Sequence, residues 1–229
     1  MPGRPIVRKL ALPEKYHRTE DTMLKLHDYL PSQNGFKIRL LLQHLGQPYE
    51  HVPVAIFQGE SRTPEFLQKN PVGAIPVLEP EPGVYIAESN AILCYLAEGT
   101  AYLPAERLAR ARVMQWLFFE QYYVEPTLGT LRYWTIAGKL KSNEAVAAVK
   151  RSAAERALDA LERHLSQHSF LANDRYSIAD IAVFAYSHLA AEANFDLATW
   201  PSFVRWVERV KSQAGTLPQI YPYTPDAMA

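Results

Sequence analysis

The chain has 229 residues, of which 48% are hydrophobic and 21% are charged, a composition typical of a folded protein with one large domain or two small ones. Lys plus Arg number 24 and Asp plus Glu number 24, so the formal charge is zero. This balance gives no electrostatic footprint for nucleic acid or for an anionic membrane, and we expect neither as a partner.

The first part of the chain alternates strand and helix patterns. A strand is predicted over residues 23–29, where apolar and polar residues alternate, and a helix over 36–46, where Gly46 suits the left-handed closing position. The patterns further along predict a strand over 49–54 that Pro53 assigns to an edge or a strand end, a short helix over 63–69 capped by Thr63, strands over 76–79 and 84–86, and a helix over 88–98.

The rest of the chain carries only helical patterns, after a linker at residues 99–104. Helices are predicted over 105–137, 145–168 and 201–213, another begins at a capping box formed by Ser177 and Asp180, and the tail is irregular. We therefore predict the α+β fold class, with a βαβαββα domain over 23–98, an all-helical domain over 105–229, and a ligand site in the cleft between them.

Three short segments carry the candidate chemistry, and the first is residues 70–78. Pro76 opens a strand after a loop, so the Ile75–Pro76 bond is a candidate for the cis form. A cis bond would turn the N–H and C=O of Ile75 outward, free to pair with the main chain of a ligand. The alternative is a plain turn before a strand.

The other two segments stand at predicted helix starts. Glu88 and Ser89 offer a carboxylate for a ligand ammonium, and a hydroxyl with helix N–H groups for a ligand carboxylate. That combination matches an α-amino acid. The hydroxyl of Ser32 lies at the positive end of the first helix. For both segments the alternative is an ordinary helix cap without a ligand.

Together these segments resemble the glutathione transferase superfamily, and the run 116–122 is similar to its bacterial members. The resemblance covers roughly residues 23–213, and it implies a thioredoxin-like N-terminal domain, a helical C-terminal domain and a homodimer. It rests on Tyr29, Ser32, Asn34 and Lys37, on Asn70-Pro71 with Gly73 and 76–78, on Glu88-Ser89 with Ile92 and 95–96, and on the capping box, in the order and at the separations of that family.

The resemblance also implies a glutathione site. Ile75, followed by Pro76, would pair with the cysteinyl main chain, and Glu88 with Ser89 would take the γ-glutamyl end. Ser32, or Asn34 as in some bacterial relatives, would face the sulfur. Many family members have Lys, Arg or Gln where this chain has Ala74. In its place the resemblance leaves Lys69, Gln58 or Lys37 to hold a glutathione carboxylate.

The implied chemistry is activation of a thiol. A free thiol has a pKa near 8.5, and the thiolate is the nucleophile. Lowering that pKa by about two units needs roughly 2.7 kcal/mol of preference for the anion. One charge-assisted hydrogen bond of about 1.5–3 kcal/mol together with a helix N-terminus can supply it, without a metal or a protein base. We predict that Ser32 donates this bond and that Asn34 supports it.

The second substrate is predicted to lie against the first helices of the helical domain. The predicted acceptor pocket consists of Tyr123, Arg132 and Trp134, with Tyr122 and Tyr133 as further candidates. The alternative is that these aromatic residues pack in the core. The predicted function is that of a glutathione transferase, with glutathione as co-substrate and an electrophile as acceptor. The alternatives are a glutathione-dependent disulfide reductase or peroxidase, and a non-catalytic binding module.

Cysteine content and hydropathy bear on the compartment. Cys94 is the single cysteine, so an internal disulfide, a CxxC redox centre and a cysteine-based zinc site are excluded, and Cys94 itself is predicted to be a buried apolar side chain. No apolar run reaches the roughly 18 residues that span a bilayer. Residues 1–22 lack the apolar core of a signal peptide. We expect a cytoplasmic protein with an N-terminal extension over 1–22, either a misassigned start or an arm that packs on a partner subunit.

Overall fold

The computed structural model of the chain describes residues 23–214 and 217–224, so the predicted extension over 1–22 lies outside the described residues. The predicted thioredoxin-like order of strands and helices is confirmed. Its elements are β1 (Leu24–Asp28), α1 (Gln33–His44), β2 (Tyr49–Pro53), α2 (Pro64–Leu67), β3 (Val77–Glu81), β4 (Val84–Ala87) and α3 (Ser89–Ala97). The predicted domain limits at residues 98 and 105 stay predictions.

The four strands form one mixed sheet in the order β2-β1-β3-β4. β1 runs parallel to β2 and antiparallel to β3, which in turn pairs antiparallel with β4. β2 is therefore an edge strand that ends at Pro53, as the proline predicts. β3 extends past its predicted end at residue 79 because Glu81 still pairs with Val84, which leaves only Pro82 and Gly83 between the two strands.

Helix α1 lies between the sheet and the helical part of the chain. It begins at Gln33 rather than at residue 36, because the Ser32 side chain caps it by accepting a hydrogen bond from the Gly35 N–H at 3.4 Å. Residues 36–42 are all buried, since α1 also packs against α3 and against α7 (Ile178–Ser187). The helix closes at Gly46 with φ +59°, as predicted.

The second part of the chain is helical, as predicted, but one stretch differs in kind. Its elements are α4 (Arg107–Phe119), a π-helical stretch (Glu120–Gly129), α5 (Thr130–Ile136), α6 (Glu144–Leu165), α7 and α8 (Pro201–Ala214). The π-helical stretch contains Pro126, which has no N–H to donate to the α-helical ladder. Residues 217–224 are irregular, as predicted. None of the described helices is long and apolar enough to cross a membrane.

The predicted capping box starts α7, and it is confirmed. The Asp180 carboxylate accepts from the N–H of Ser177 at 3.0 Å, from the N–H of Leu171 at 3.0 Å and from the indole of Trp206 at 2.9 Å. Burial raises the pKa of Asp180 to about 6. Every residue of α7 is buried. This helix therefore lies inside the molecule, between α1 and other helices.

Candidate functional site

A pocket of about 420 Å³ opens at the N-terminal end of α1, within the range of roughly 300–1,000 Å³ common for small-molecule sites. It brings together three of the predicted site residues, Ser32, Asn34 and Ile75, from the turn after β1 and from the loop before β3. The complete lining is Ser32, Asn34, Ile56, Phe57, Ser61, Arg62, Gly73, Ala74 and Ile75.

The loop before β3 presents unpaired main-chain groups to this pocket. The Ile75–Pro76 bond is cis, as predicted. Among the described residues, neither the N–H nor the C=O of Ile75 has a hydrogen-bond partner. The loop itself is well fixed, because the Asn70 side-chain amide donates to the Ala74 carbonyl at 2.8 Å and its oxygen accepts from the Val72 N–H at 3.1 Å. A strand-like ligand can therefore pair with Ile75 without moving the loop.

Gly73 brings this loop against its neighbour. Its φ is +66°, and a methyl group built there would lie 2.7 Å from the Ser61 carbonyl oxygen. Only glycine allows this approach, which completes the pocket wall between the Ser61–Arg62 turn and Ile75.

The N-terminus of α1 supplies hydrogen-bond donors to the pocket. The N–H groups of Gln33 and Asn34 have no acceptor among the described residues, and they lie at the positive end of the helix dipole. Because the Ser32 oxygen accepts from Gly35, the hydroxyl proton of Ser32 is left for a ligand. The arrangement suits an anion at this helix end.

Asn34 has a fixed orientation in this site. Its side-chain oxygen accepts from Lys37 Nζ at 2.9 Å and from Ser89 Oγ at 3.2 Å. The amide nitrogen Nδ2 therefore points away from both groups, and no described residue accepts from it. Asn34 thus offers the pocket a second side-chain donor beside Ser32.

Lys37, one of the residues predicted to hold a glutathione carboxylate, does not line the pocket. Its side chain has no exposed surface, and Nζ donates to Asn34 Oδ1, to Ser89 Oγ at 3.2 Å and to Glu120 Oε2 at 2.8 Å. Burial lowers the pKa of Lys37, and the Glu120 carboxylate opposes that shift. With all three protons used, Lys37 has none left for a ligand carboxylate.

Glu88 and Ser89 stand at the start of α3, as predicted, but in different environments. The Ser89 hydroxyl is buried and takes part in hydrogen bonds to Lys37 and Asn34. Glu88 is exposed and has φ +68°, a conformation that a non-glycine residue adopts at a cost and that is frequent at ligand sites. The Glu88 carboxylate and the first N–H groups of α3 are the parts of this motif that a ligand can reach.

The cation in the pocket is Arg62, which the sequence analysis missed. Its guanidinium donates to the Val72 carbonyl at 2.6 Å and has further N–H groups to offer. Gln58 is exposed and does not line the pocket. Lys69 lies over the ring of Tyr85 at 4.7 Å instead. No sequence signal marks Arg62, because the fold alone brings its side chain next to the loop that contains Gly73.

The three predicted acceptor residues do not lie together. Tyr123 lines a separate surface groove of about 730 Å³ with Trp116, Phe118, Phe119 and Tyr122. Arg132 is buried, with Nε donating to Glu192 at 2.7 Å and Nη1 to the Tyr223 hydroxyl at 3.3 Å. Trp134 is half-buried and does not line the pocket at the N-terminus of α1.

An aromatic cluster of Tyr29, Phe57, Tyr133 and Tyr223 borders the pocket instead. Phe57 belongs to the pocket lining, and Tyr133 stacks on it with ring centroids 5.9 Å apart. Tyr223 stacks on Tyr29 at 6.3 Å. The C-terminal segment also contacts Tyr29 directly, because the Tyr29 hydroxyl accepts from the Thr224 N–H at 2.7 Å. Residues 217–224 thus connect the helical part of the chain to the turn that carries Ser32.

Other reactive groups lie apart from this pocket. Cys94 is half-buried, with Sγ 3.7 Å from the sulfur of Met114, and burial raises the pKa of its thiol. His164 and His168 stack on each other at 4.4 Å. Within residues 23–214 and 217–224 there is no group of three or more His, Cys, Asp or Glu side chains that could hold a metal ion.

Comparison with protein families gives two matches that together span most of the chain. The model of the glutathione S-transferase N-terminal domain matches residues 22–98, and that of the glutathione S-transferase C-terminal domain matches residues 118–214. Among curated proteins, the chain is 32% identical over 195 residues to disulfide-bond oxidoreductase YfcG of Escherichia coli (strain K12), which covers 82% of this chain and 90% of that protein.

Two solved structures illustrate the similarity in three dimensions. A glutathione S-transferase from Pseudomonas fluorescens has 42% identity and a TM-score of 0.81, covering 83% of this chain and 96% of that one. A glutathione transferase family member from Pseudomonas fluorescens, with two glutathione bound, has 29% identity and a TM-score of 0.73, covering 83% of this chain and 88% of that one.

Proposed function

The chain belongs to the glutathione transferase superfamily, and from this membership we propose that it binds glutathione at the N-terminus of α1, stabilises its thiolate and directs it at an electrophile. The cysteinyl main chain pairs with Ile75, and the γ-glutamyl end lies at Glu88 and the start of α3. The glycyl carboxylate lies near Arg62. A similar solved structure that has two glutathione bound supports glutathione as the ligand.

The observation that carries the proposal is the orientation of Asn34 next to Ser32. The hydroxyl of Ser32 and the Nδ2 group of Asn34 are two donors on one wall of the pocket, at a helix N-terminus. Each charge-assisted hydrogen bond contributes about 1.5–3 kcal/mol. Lowering the thiol pKa by about two units needs roughly 2.7 kcal/mol, so these groups suffice.

The reaction needs no base from the protein. The thiol loses its proton to water when glutathione binds, and the thiolate attacks the electrophilic carbon. A C–S bond forms, and the leaving group departs with the electron pair of the bond that breaks. The aromatic cluster, with Phe57 and Tyr133 beside the pocket, suits a planar apolar acceptor. Tyr123, Arg132 and Trp134 stay predicted acceptor residues.

The test is a glutathione titration followed by thermal unfolding, combined with rates on 1-chloro-2,4-dinitrobenzene. A ligand at 100 times its dissociation constant adds about 2.7 kcal/mol to stability. We expect such a shift for the wild type. The variants Ser32→Ala and Asn34→Ala should each lower kcat/KM by about 10-fold or more, and Cys94→Ala should leave it unchanged. Absence of a thermal shift at millimolar glutathione would instead favour the non-catalytic binding module.

A glutathione-dependent disulfide reductase is the second candidate, and two findings favour it. One relative is named a disulfide-bond oxidoreductase, and another structure holds two glutathione. In this reaction the thiolate attacks a disulfide and releases one thiolate, and a second glutathione attacks the mixed disulfide. Glutathione disulfide forms, and the substrate gains two electrons and two protons. Rates on 2-hydroxyethyl disulfide and on 1-chloro-2,4-dinitrobenzene, compared in the same preparation, distinguish the two candidates.

We further propose that the chain forms a homodimer in the reducing cytoplasm. Phe118 is 68% exposed and Tyr122 is 75% exposed, and both line the groove of about 730 Å³ next to Tyr123. Neighbouring large apolar side chains with this exposure indicate a protein interface. Light scattering after gel filtration should give twice the chain mass for the wild type and a lower mass for Phe118→Asp.

A further inference from the structure

A buried ion pair joins the proposed thiolate site to the helical part of the chain. Lys37 on α1 and Glu120 at the start of the π-helical stretch both have fully buried side chains, with Nζ and Oε2 2.8 Å apart. An ammonium has three protons, and Nζ has three acceptors in Glu120, Asn34 and Ser89. This match indicates a Lys37 that is charged and fully hydrogen-bonded.

We propose that Glu120 is a positioning residue for the reaction, because through Lys37 it holds the Asn34 side-chain oxygen behind the pocket and leaves Nδ2 to face the sulfur. The proposal rests on the proposed function. A rotation of the Asn34 amide by 180° would point its oxygen at the thiolate, where it repels the anion. An ammonium blocks this rotation, since it has no lone pair to accept from Nδ2.

The charge on Glu120 is what keeps Lys37 in this state. Desolvation favours the neutral amine, and a neutral amine has a lone pair that accepts from Nδ2, so both amide orientations would become possible. Glu120 is itself fixed, because Oε2 accepts from Asn90 at 3.0 Å and from Gln121 at 3.0 Å.

The other groups around Lys37 do not replace Glu120. The Glu125 and Glu88 carboxylates act on Lys37 through charge alone, and the Tyr186 ring lies 5.6 Å from Nζ. None of these groups accepts a hydrogen bond from Nζ in the described part of the chain. An amide whose oxygen accepts from a cation is also a stronger N–H donor, so Glu120 supports both the direction and the strength of the Asn34 bond.

The decisive variant is Glu120→Gln, which keeps the shape and removes the charge. Two quantities are measured: the pKa of the bound glutathione thiol, from its thiolate absorbance, and the affinity for S-methylglutathione, whose sulfur has no proton to lose. We expect the thiol pKa to rise by about one unit, a tenfold loss of thiolate preference, while S-methylglutathione affinity stays within about twofold. Glu125→Gln, the same change on a side chain without a bond to Lys37, is the matched control and should leave both quantities near wild type.

The double methionine variant keeps the proposal testable if Glu120→Gln folds poorly, and a second background tests whether the effect passes through Asn34. Replacing both partners, in Lys37→Met with Glu120→Met, avoids an unpaired buried charge, and we expect the same rise in thiol pKa. In the Asn34→Ala background, Glu120→Gln should add no further rise, because the effect passes through Asn34.

The outcomes separate the two proposals. If wild type lowers the thiol pKa and the double methionine variant lowers it equally, the role of Glu120 is overturned and the proposed function stands. A parallel loss of glutathione and S-methylglutathione affinity in Glu120→Gln would mean a structural role only, which also overturns the inference. If wild type binds glutathione without ionising it, the thiolate step of the proposed function fails.

Discussion

Gly35 sets the geometry of the turn that carries Ser32 and Asn34. A methyl group built on Gly35 would lie 1.9 Å from Asp28 Oδ1, and Asp28 is fully buried, where it pairs with Arg39. The first turn of α1 therefore packs directly on the end of β1. A single absent methyl group lets the helix N-terminus lie deep enough to form the pocket.

We predict that Gly35→Ala destabilises the protein by about 3 kcal/mol, because overpacking a full core costs about 1–3 kcal/mol and a buried carboxylate cannot move freely. Urea denaturation measures the loss. Gly46→Asn is the control, since Gly46 has φ +59° but open space around it, and asparagine tolerates this conformation, so the loss should stay below about 1 kcal/mol. Equal losses in the two variants would contradict the packing argument.

His188 makes the free energy of unfolding fall at acid pH. Its Nδ1–H donates to the Phe184 carbonyl at 2.6 Å, its ring stacks on Phe184 at 4.2 Å, and burial lowers its pKa to about 4 from the usual 6.5. Between these values the unfolded chain binds the proton and the folded chain does not. The free energy of unfolding therefore has its full His188 contribution above pH 6.5 and loses it as the pH falls towards 4.

We predict that His188→Gln removes this loss, which amounts to at most about 3 kcal/mol. Unfolding free energies of wild type and variant are compared from pH 7 to pH 4. The comparison is needed because burial raises the pKa of Asp28 and of Asp180, and both groups act in the opposite direction. If the two pH profiles run parallel, His188 takes up its proton in the folded state at the same pH as in the unfolded state, which would contradict the prediction.

Only part of the site could be predicted from single residues. Ser32, Asn34 and Ile75 come from segments with local signals, a helix start and a proline after a loop, and the structure brings all three to one pocket. The location of Lys37 could not be predicted. Its partner Glu120 lies 83 residues further along the chain, and a lysine in an amphipathic helix gives no indication that its charge is buried.

At the scale of whole elements, the capping box of α7 shows how one carboxylate organises several segments. Asp180 accepts hydrogen bonds from Leu171, Ser177 and Trp206, which belong to the preceding loop, the helix cap and α8. Ser177 fixes only the start of α7, through the Ala179 N–H. The two members of the box therefore differ in how many segments depend on them.

We predict that Asp180→Ala destabilises the protein by more than about 3 kcal/mol, because it leaves several buried donors without acceptors at about 1–3 kcal/mol each. Ser177→Ala should cost only about 1 kcal/mol, the usual value for a lost cap. Urea denaturation at pH 7.5 provides both values. Similar losses for both variants would mean that the cap alone, rather than the junction of three segments, determines the effect.

Elements with local signals were predictable, and the π-helical stretch was not. β1, α2, β3 and α3 each have an alternation, a cap or a turn residue that marks them, and Gly46 marks the end of α1. Pro126 interrupts a pattern that is otherwise helical, and sequence rules predict a kink or an end there. The π-helical stretch packs against α6 and α7, and no local pattern contains these contacts.

On the scale of the whole molecule, residues 217–224 connect the helical part to the sheet. The Tyr29 hydroxyl accepts from the Thr224 N–H at 2.7 Å and lies 2.8 Å from the Thr224 hydroxyl. Tyr223 packs in the aromatic cluster beside the pocket. One hydroxyl group next to the turn that carries Ser32 therefore accepts the main-chain hydrogen bond of Thr224 in this segment.

We predict that Tyr29→Phe releases this segment without unfolding the rest. Hydrogen exchange at the Thr224 amide should become at least about 10-fold faster, because its acceptor is gone, while global stability falls by only about 1–2 kcal/mol. Tyr95→Phe, on a residue that is 47% exposed, is the control and should change neither quantity. Unchanged exchange at Thr224 would show that the aromatic cluster alone holds the segment.

The N–H and C=O of Ile75, which have no partner in the described part of the chain, have a consequence for ligand choice. A ligand that pairs with them is selected by its peptide linkage and not by the size of its neighbouring side chains. An analogue of glutathione with an ester or an N-methyl group at that linkage should bind weakly, although its sulfur is unchanged. Peptides that differ only at their carboxyl-terminal residue should compete for the same place, so the cellular mixture of small thiols, rather than one compound alone, would determine its occupancy.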